Sequence, residues 1–339
     1  MEINSLTGED YSIIKVDNHP EIEKRKIYLF NKKINRLYTY NAQSGKIEKW
    51  VDFPRDGPEG TRNVSSFALT DSDTILLLSN QRSLLTIYTK GAKFIDRLDF
   101  GQHGFTNIFD QPGQDLGLIN NKVIANVSGD RLAYESGVEY PPSAFLTYDL
   151  SADSLEIIIP YPKIYEEAIW GYNVSIIMNY FDHNSQLFWY SYPIDDSVYS
   201  LDKDFNIKSY YAGVNHADSR VPLTKPSPSS IEEIRIFFGQ MAYHQVFTDH
   251  SGNIYRLIRK GISEEDWESD DPIKSRVPEF EILIANQDNE VLGVFPLEHN
   301  TYQMLYPFGD KILSLRKSTQ QESENHITFD VYEFRESGL

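Results

Sequence analysis

The sequence contains no cysteine. Disulfides, thiolate nucleophiles and cysteine-ligated zinc are therefore excluded within it. Positive charge is scarce: 32 Lys and Arg stand against 50 Asp and Glu, a formal net charge of -18. Such a surface repels phosphate backbones and anionic lipid, so nucleic acid is not an expected partner, while solubility is served. No apolar run approaches the roughly 18 residues of a membrane span. The opening residues, MEINSLTGEDYSII, lack a basic stretch followed by an apolar one. On that basis either the protein is cytoplasmic or a leader has been removed.

The signatures of common chemistries are missing too. There is no HExxH, GxSxG, Walker loop or GxGxxG. His244 and His250 flank a strand end and a turn, which is not a helical metal pair. Asp71-Ser72-Asp73 lacks the glycine and the closing glutamate of a calcium loop. Asp195-Asp196 and Asp270-Asp271 are adjacent carboxylates, and adjacent side chains on a strand point opposite ways. A carboxylate pair could still assemble from separate strands. The expectation is no metal, no cofactor and no nameable catalytic residue.

What the chain has is aromatic rings, with 22 Tyr and 19 Phe, and a repeat. Aromatics favour pleated, half-buried surfaces. IYLFN-KKIN-RLYTYN-AQSG-KIEKWVDF at 27–53 aligns with TILLLS-NQRS-LLTIYT-KGAK-FIDRLDF at 74–100. The tight turn beginning at Asn41 returns as YTKGAKFI, YDLSADSLEI, LDKDFNIKSY and ANQDNEVLGV. A second turn returns upstream, sharpest as Asp249-His250-Ser251-Gly252-Asn253-Ile254-Tyr255. Gly and Asn tolerate positive φ, and Asp and Ser bond their own backbone, which is hairpin chemistry. Six such units run over about 11–53, 64–100, 114–160, 172–212, 240–297 and 300–335. The sequence therefore predicts an all-β, six-bladed β-propeller of mostly four-stranded antiparallel blades, one domain over 1–339. The last unit lacks an outer strand, and residues 11–16 are expected to supply it and close the ring; the alternative is that they form the inner strand of the first blade. Short helices are expected at 229–235 and 263–267.

In a four-stranded blade, the turns between strands one and two and between strands three and four share a face, and here they are expected to be short. The blade-to-blade links and the hairpins between strands two and three share the other, and the insertions 52–63, 101–115, 128–143, 160–172, 213–239, 259–279 and 316–326 all fall there. Binding residues are disproportionately carried by loops on rigid scaffolds, so this face is the expected ligand side; otherwise the loops only cover blade edges. The starts of the inner strands carry Asn63, Asp115, Tyr172 with Asn173, Gln240 with Tyr243, and Tyr302 with Gln303, with Trp170 just before one of them. Arg55, Arg62, His103, His216 and Arg220 sit in the links. Amides, aromatics and arginines at a funnel mouth suit sugars, peptides or an acidic ligand. Each also has a structural reading: Trp170 and Tyr172 as wedges between blades, Arg62 as the partner of a rim carboxylate.

Phe53-Pro54-Arg55-Asp56-Gly57-Pro58-Glu59-Gly60, followed by an apolar strand and Asp-x-Asp-x-Ile, resembles the Gly-Pro loop of six-bladed propeller lipoproteins from Bacteroides-type bacteria, in the family catalogued as domain of unknown function 4221. The Asp-x-x-Gly-Asn-Ile-Tyr element at 249–255 is similar to that of NHL-like and TolB-like propellers. The resemblance implies an exported, lipid-anchored protein of the periplasm or cell surface, although the chain shows neither the signal nor the N-terminal cysteine of those relatives, and it brings no catalytic residues. The expectation is a monomeric, non-enzymatic propeller that binds a glycan, peptide or envelope protein on its long-loop face. The alternative is a lactonase-, lyase- or glycosidase-like enzyme with carboxylates or a metal in the funnel.

Overall fold

The recurrent turns are where the backbone turns left-handed. Gly45, Ala92, Phe205 and Asn289 take positive φ in the hairpins between third and fourth strands, and Asp73, Asn121, Gln186, Gly252 and Gly309 do so between first and second. An acceptor at the end of the third strand holds the former turns shut. The Oδ1 atoms of Asn41, Asp149, Asp202 and Asn286 each accept two backbone N–H groups from the turn ahead. In the second unit the Thr89 hydroxyl accepts one such group, the N–H of Lys93. One local device, repeated, makes the strands antiparallel neighbours.

The computed structural model describes residues 2–4, 12–17, 19–70, 73–79, 83–103, 115–126, 145–152, 154–159, 161–165, 167–168, 170, 177–214, 222, 236–268, 279–297, 301–316 and 326–333. Strand β1 (Glu2–Asn4) joins the last sheet. Blade 1 comprises β2 (Ser12–Asp17), β3 (Lys26–Asn31), β4 (Arg36–Asn41) and β5 (Ile47–Asp52); blade 2 comprises β6 (Val64–Leu69), β7 (Thr74–Ser79), β8 (Leu84–Thr89) and β9 (Phe94–Asp99). Blade 3 is β10 (Gly117–Ile119), β11 (Lys122–Asn126), β12 (Phe145–Asp149) and β13 (Ser154–Ile159), and blade 4 is β14 (Met178–Asp182), β15 (Leu187–Ser191), β16 (Ser197–Leu201) and β17 (Ile207–Tyr211). Blade 5 is β18 (Ala242–Thr248), β19 (Ile254–Arg259), β20 (Phe280–Ala285) and β21 (Val291–Pro296). Blade 6 orders β1, β24 (His326–Glu333), β23 (Lys311–Arg316) and β22 (Thr301–Phe308). Six antiparallel four-stranded sheets in a ring make a six-bladed β-propeller, as expected.

Two details correct the sequence reading. Residues 11–16 do not close the ring: β2 is the inner strand of blade 1, paired with β3 from Ser12↔Asn31 to Asp17↔Lys26. Closure falls to β1, which pairs Glu2↔Thr328, Ile3↔Ile327 and Asn4↔His326. The apolar strand is spent where two neighbouring blades bury it, and a three-residue polar segment suffices at the outer edge. The link between first and second strands is also not short in every blade, because residues 18–25 of blade 1 carry a 3-10 turn, Ile22–Lys24. The helix expected at 263–267 is present as Glu264–Trp267, its amide at Asp266 donating to Ser263 Oγ at 3.0 Å. The helix expected at 229–235 lies outside the described residues.

Apolar residues collect in six clusters, each between two neighbouring blades. Phe30, Phe53, Phe67 and Tyr88 fill the seam of blades 1 and 2; Phe145 meets Phe188 and Tyr190 edge-on across blades 3 and 4, at 5.2 Å. Amide side chains stitch the inner strands. Asn179 of blade 4 donates from Nδ2 to the carbonyl of Asp115 at 2.8 Å and accepts that residue's N–H at 2.7 Å. Gln245 of blade 5 does the same to Leu305 of blade 6, at 2.6 and 3.0 Å.

Two outcomes are expected. Replacing Gln245 by Leu strands both backbone groups of Leu305 in the seam, so urea unfolding should lose about 1–3 kcal/mol of stability. Deleting residues 1–4 leaves the outer edge of β24 unpaired, and calorimetry should show a lower Tm with the blade content of the circular dichroism spectrum retained.

Candidate functional site

Connections on one face of the ring are the long ones: 53–63, 100–116, 160–177 and 212–241 between blades, and 127–144, 260–279 and 317–325 within them. The inner strands begin on this face, and three of them are irregular there. The pairing register shifts between Val64 and Ser66, between Tyr243 and Gln245, and between Thr301 and Leu305. A bulge twists a strand and re-aims a side chain. In blade 5 the bulged residue is His244.

Near the axis, Lys15 Nζ of blade 1 lies 2.7 Å from Asp115 Oδ1, which precedes blade 3, and 5.4 Å from the ring centre of Phe67 in blade 2 between them. Asp115 Oδ2 also accepts the N–H of Phe181 of blade 4 at 3.2 Å. Elements of four blades thus converge on one ion pair. Tyr180 beside it has its hydroxyl pushed well above the usual range, first by burial and then by Asp182, Asp115 and Asp17.

Between blades 4 and 5 stands a buried arginine. Arg256 donates to the carbonyls of Ala212 (2.8 Å), Asp195 (2.8 Å) and Tyr192 (3.3 Å), and lies 3.3 Å above the ring of Tyr243. Tyr243 donates its hydroxyl to Asp196 at 2.6 Å and accepts the N–H of Val214 at 3.0 Å. Burial, ahead of the Asp196 bond, pushes that hydroxyl up to about 12. This arginine is a clamp whose work is holding blades together.

One turn of strand further on, at the mouth, Arg259 is 1% exposed. Its Nη2 donates to the carbonyls of Phe237 and, at 3.2 Å, Gln240, and its plane lies 3.9 Å from the Phe237 ring centre. Nε and Nη1 have no hydrogen-bond partner among the described residues. Burial alone lowers its ionisation to about 9. The His244 imidazole sits half-buried between the rings of Phe237 (6.3 Å) and Phe280 (6.1 Å). Burial, and then the Arg259 charge, lower its pKa to about 3, so it is neutral at physiological pH. Among the described residues no three metal-ligating side chains come together.

The residues expected from sequence are dispersed. Arg55 is exposed and donates to the Lys33 carbonyl at 3.1 Å; Arg62 is exposed and pairs with Asp56, its Nε at 2.7 Å. Asn63 is exposed with φ 53°. Trp170 is buried in the seam of blades 3 and 4, donating to the Ile164 carbonyl at 2.8 Å. Gln240 and Tyr243 are buried, and both adjoin the arginines of blade 5. His103 ends the 3-10 turn Phe100–His103, and Tyr302 and Gln303 lie on β22; their side chains are outside what is described. Tyr172, Asn173, His216 and Arg220 lie outside the described residues. Sequence reasoning passed over Arg256 and Arg259, and weighed His244 only as a metal ligand. The available signal was IYRLIR, two arginines in a strand that is otherwise apolar and buried along its whole length.

The profile of a family described as Domain of unknown function (DUF4221) matches residues 13–293. A solved structure of a member of that family from Bacteroides vulgatus is 17% identical, with TM-score 0.75 over 98% of this chain and 97% of that one. A protein from Bacteroides fragilis described as exported is 11% identical, with TM-score 0.56 over 99% and 95%. A streptogramin B lyase is also 11% identical, with TM-score 0.51 over 99% and 87%. These likenesses are of fold. No curated protein matches the chain.

His244 has a consequence for stability against pH. Its folded pKa of about 3 lies below the ordinary 6.5, so the unfolded chain takes up the proton first. Its contribution is complete above pH 6.5 and declines as pH falls toward 3. In His244→Phe the fall in Tm between pH 6.5 and 5 should be shallower than in the parent; an equal slope in both would show that His244 does not titrate this way.

Proposed function

We propose that this chain, which belongs to the family described as Domain of unknown function (DUF4221), is a non-enzymatic binding propeller that takes its ligand on the face of the long connections. One observation carries the reading: the long connections and the three inner-strand bulges share that face, while the opposite face, apart from the link between β2 and β3, is built of repeated hairpins. Loops and bulges that a stable scaffold does not need are supported there by rigid seams, the usual arrangement of a binding surface. The ligand is a glycan, a peptide or a protein of the cell envelope. The working location is the periplasm or the cell surface, with a lipid anchor and a monomeric state; likeness to a protein described as exported supports that location.

A second reading, turnover at the funnel in the manner of a lyase, is favoured by the fold shared with a streptogramin B lyase. Fold is shared by many activities, so this reading stands second.

The test is a thermal-shift screen of glycans, peptides and divalent metals, since a ligand selective for the native state raises Tm. Binding is expected to raise Tm with the compound recovered unchanged. A compound recovered cleaved would establish the second reading, and no shift from any class would overturn the first.

A further inference from the structure

Among the described residues, the long-connection face holds one buried cation with two nitrogens left unbonded. Arg259 closes β19 at the mouth of blade 5 and is 1% exposed. A guanidinium offers five N–H donors and never an acceptor. Nη2 gives its hydrogens to two carbonyls, and among the described residues the donors on Nε and Nη1 have no acceptor. No carboxylate of a described residue pairs with it. Buried charges are ordinarily paired, and buried donors ordinarily bonded. Arg256, three residues earlier on the same strand, shows how this fold neutralises the need when it wants a clamp: three carbonyls from the next blade.

His244 is the second half of the site. The bulge places it out of register in the inner strand, beside Arg259 and between Phe237 and Phe280. It is only half-buried, and its ring makes no hydrogen bond to a described residue, so the neutral ring keeps an N–H to donate. The rings of Phe237 and Phe280 bound it with apolar surface. The net charge of -18 repels anions generally, so an anion held here is held by local donors and not by the field of the molecule.

We propose that Arg259 and His244 form a binding site for the carboxylate of a small organic acid, with Phe237 and Phe280 packing against its body. This rests on the long-connection face being the ligand side. An acid group entering over His244 accepts its N–H and reaches the free Nη1 donors of Arg259, and partial displacement of the half-buried Phe237 ring opens the way. Two sources carry that chemistry, an acidic sugar and a peptide C-terminus.

The experiment is calorimetric titration of the full chain with glucuronate, with an N-acetyl dipeptide, with glucose and with sulfate. One of the two carboxylates should bind and raise Tm, and the other identifies the source by its weaker binding. Glucose and sulfate should not bind. Arg259→Met should abolish binding, at least a hundredfold, while the variant without ligand still unfolds in one cooperative transition, because its partners are two carbonyls and no charged group of a described residue. His244→Asn should weaken binding about tenfold, and it decides the matter should Arg259→Met not fold. Carboxylate binding that survives both substitutions, or sulfate binding as well as the acids, overturns the site. A neutral glycan that binds while both carboxylates fail overturns the site and leaves the wider reading of the face standing; failure of every probe, neutral and acidic, counts against both.

Discussion

Everything in this molecule depends on seams. Each blade is too thin to bury its own side chains, so its two faces are covered only by the blades on either side. A ring answers that constraint because it leaves no face over. The apolar clusters supply most of the adhesion, being non-directional and roughly proportional to area. Register between blades needs something directional, and Asn179 and Gln245 provide it by offering an amide where a strand would have offered a peptide group. Rigid seams in turn allow the mouth to carry bulges and long connections without loosening the disc.

Three buried arginines show how one residue type is put to different ends. Arg25 lies over Phe308 and donates to the carbonyls of His19 and Pro20, tying the 3-10 turn of blade 1 against blade 6. Arg256 binds three carbonyls across the next seam. Both are cations solvated by backbone dipoles. Arg259 has the burial and the aromatic floor of Arg256 with two carbonyls in place of three, at the end of the ring where the connections lengthen.

The architecture was legible because the hairpin turns repeat with their chemistry intact: Asn41, Asp149, Asp202 and Asn286 do one job in four blades, and the spacing between them counts the blades. The closing strand was not legible. Three residues, Glu2–Asn4, carry no periodicity, and an outer edge strand needs no apolar face, so the apolar segment beside it drew the assignment. The site was read less well. Tyr243 stands at the start of an inner strand as expected, Trp170 stands in the connection that leads to another, and burial in a seam claims both. Side-chain type at a mouth does not reveal which groups are already satisfied, and that property comes from partners distant in sequence, such as Phe237 and Gln240 for Arg259.

The pairing of Ile3 with Ile327 also governs how the molecule comes into being. Residues 2–4 are separated from the strand they must meet by all the other blades, and five blades can assemble before the two segments come together. Bringing two such distant segments together is slow relative to local hairpin formation, because the entropy of so large a loop is spent before the contact returns anything. Completion of the ring is therefore the natural final step of folding, and until it occurs β24 is an open edge in a crowded cell.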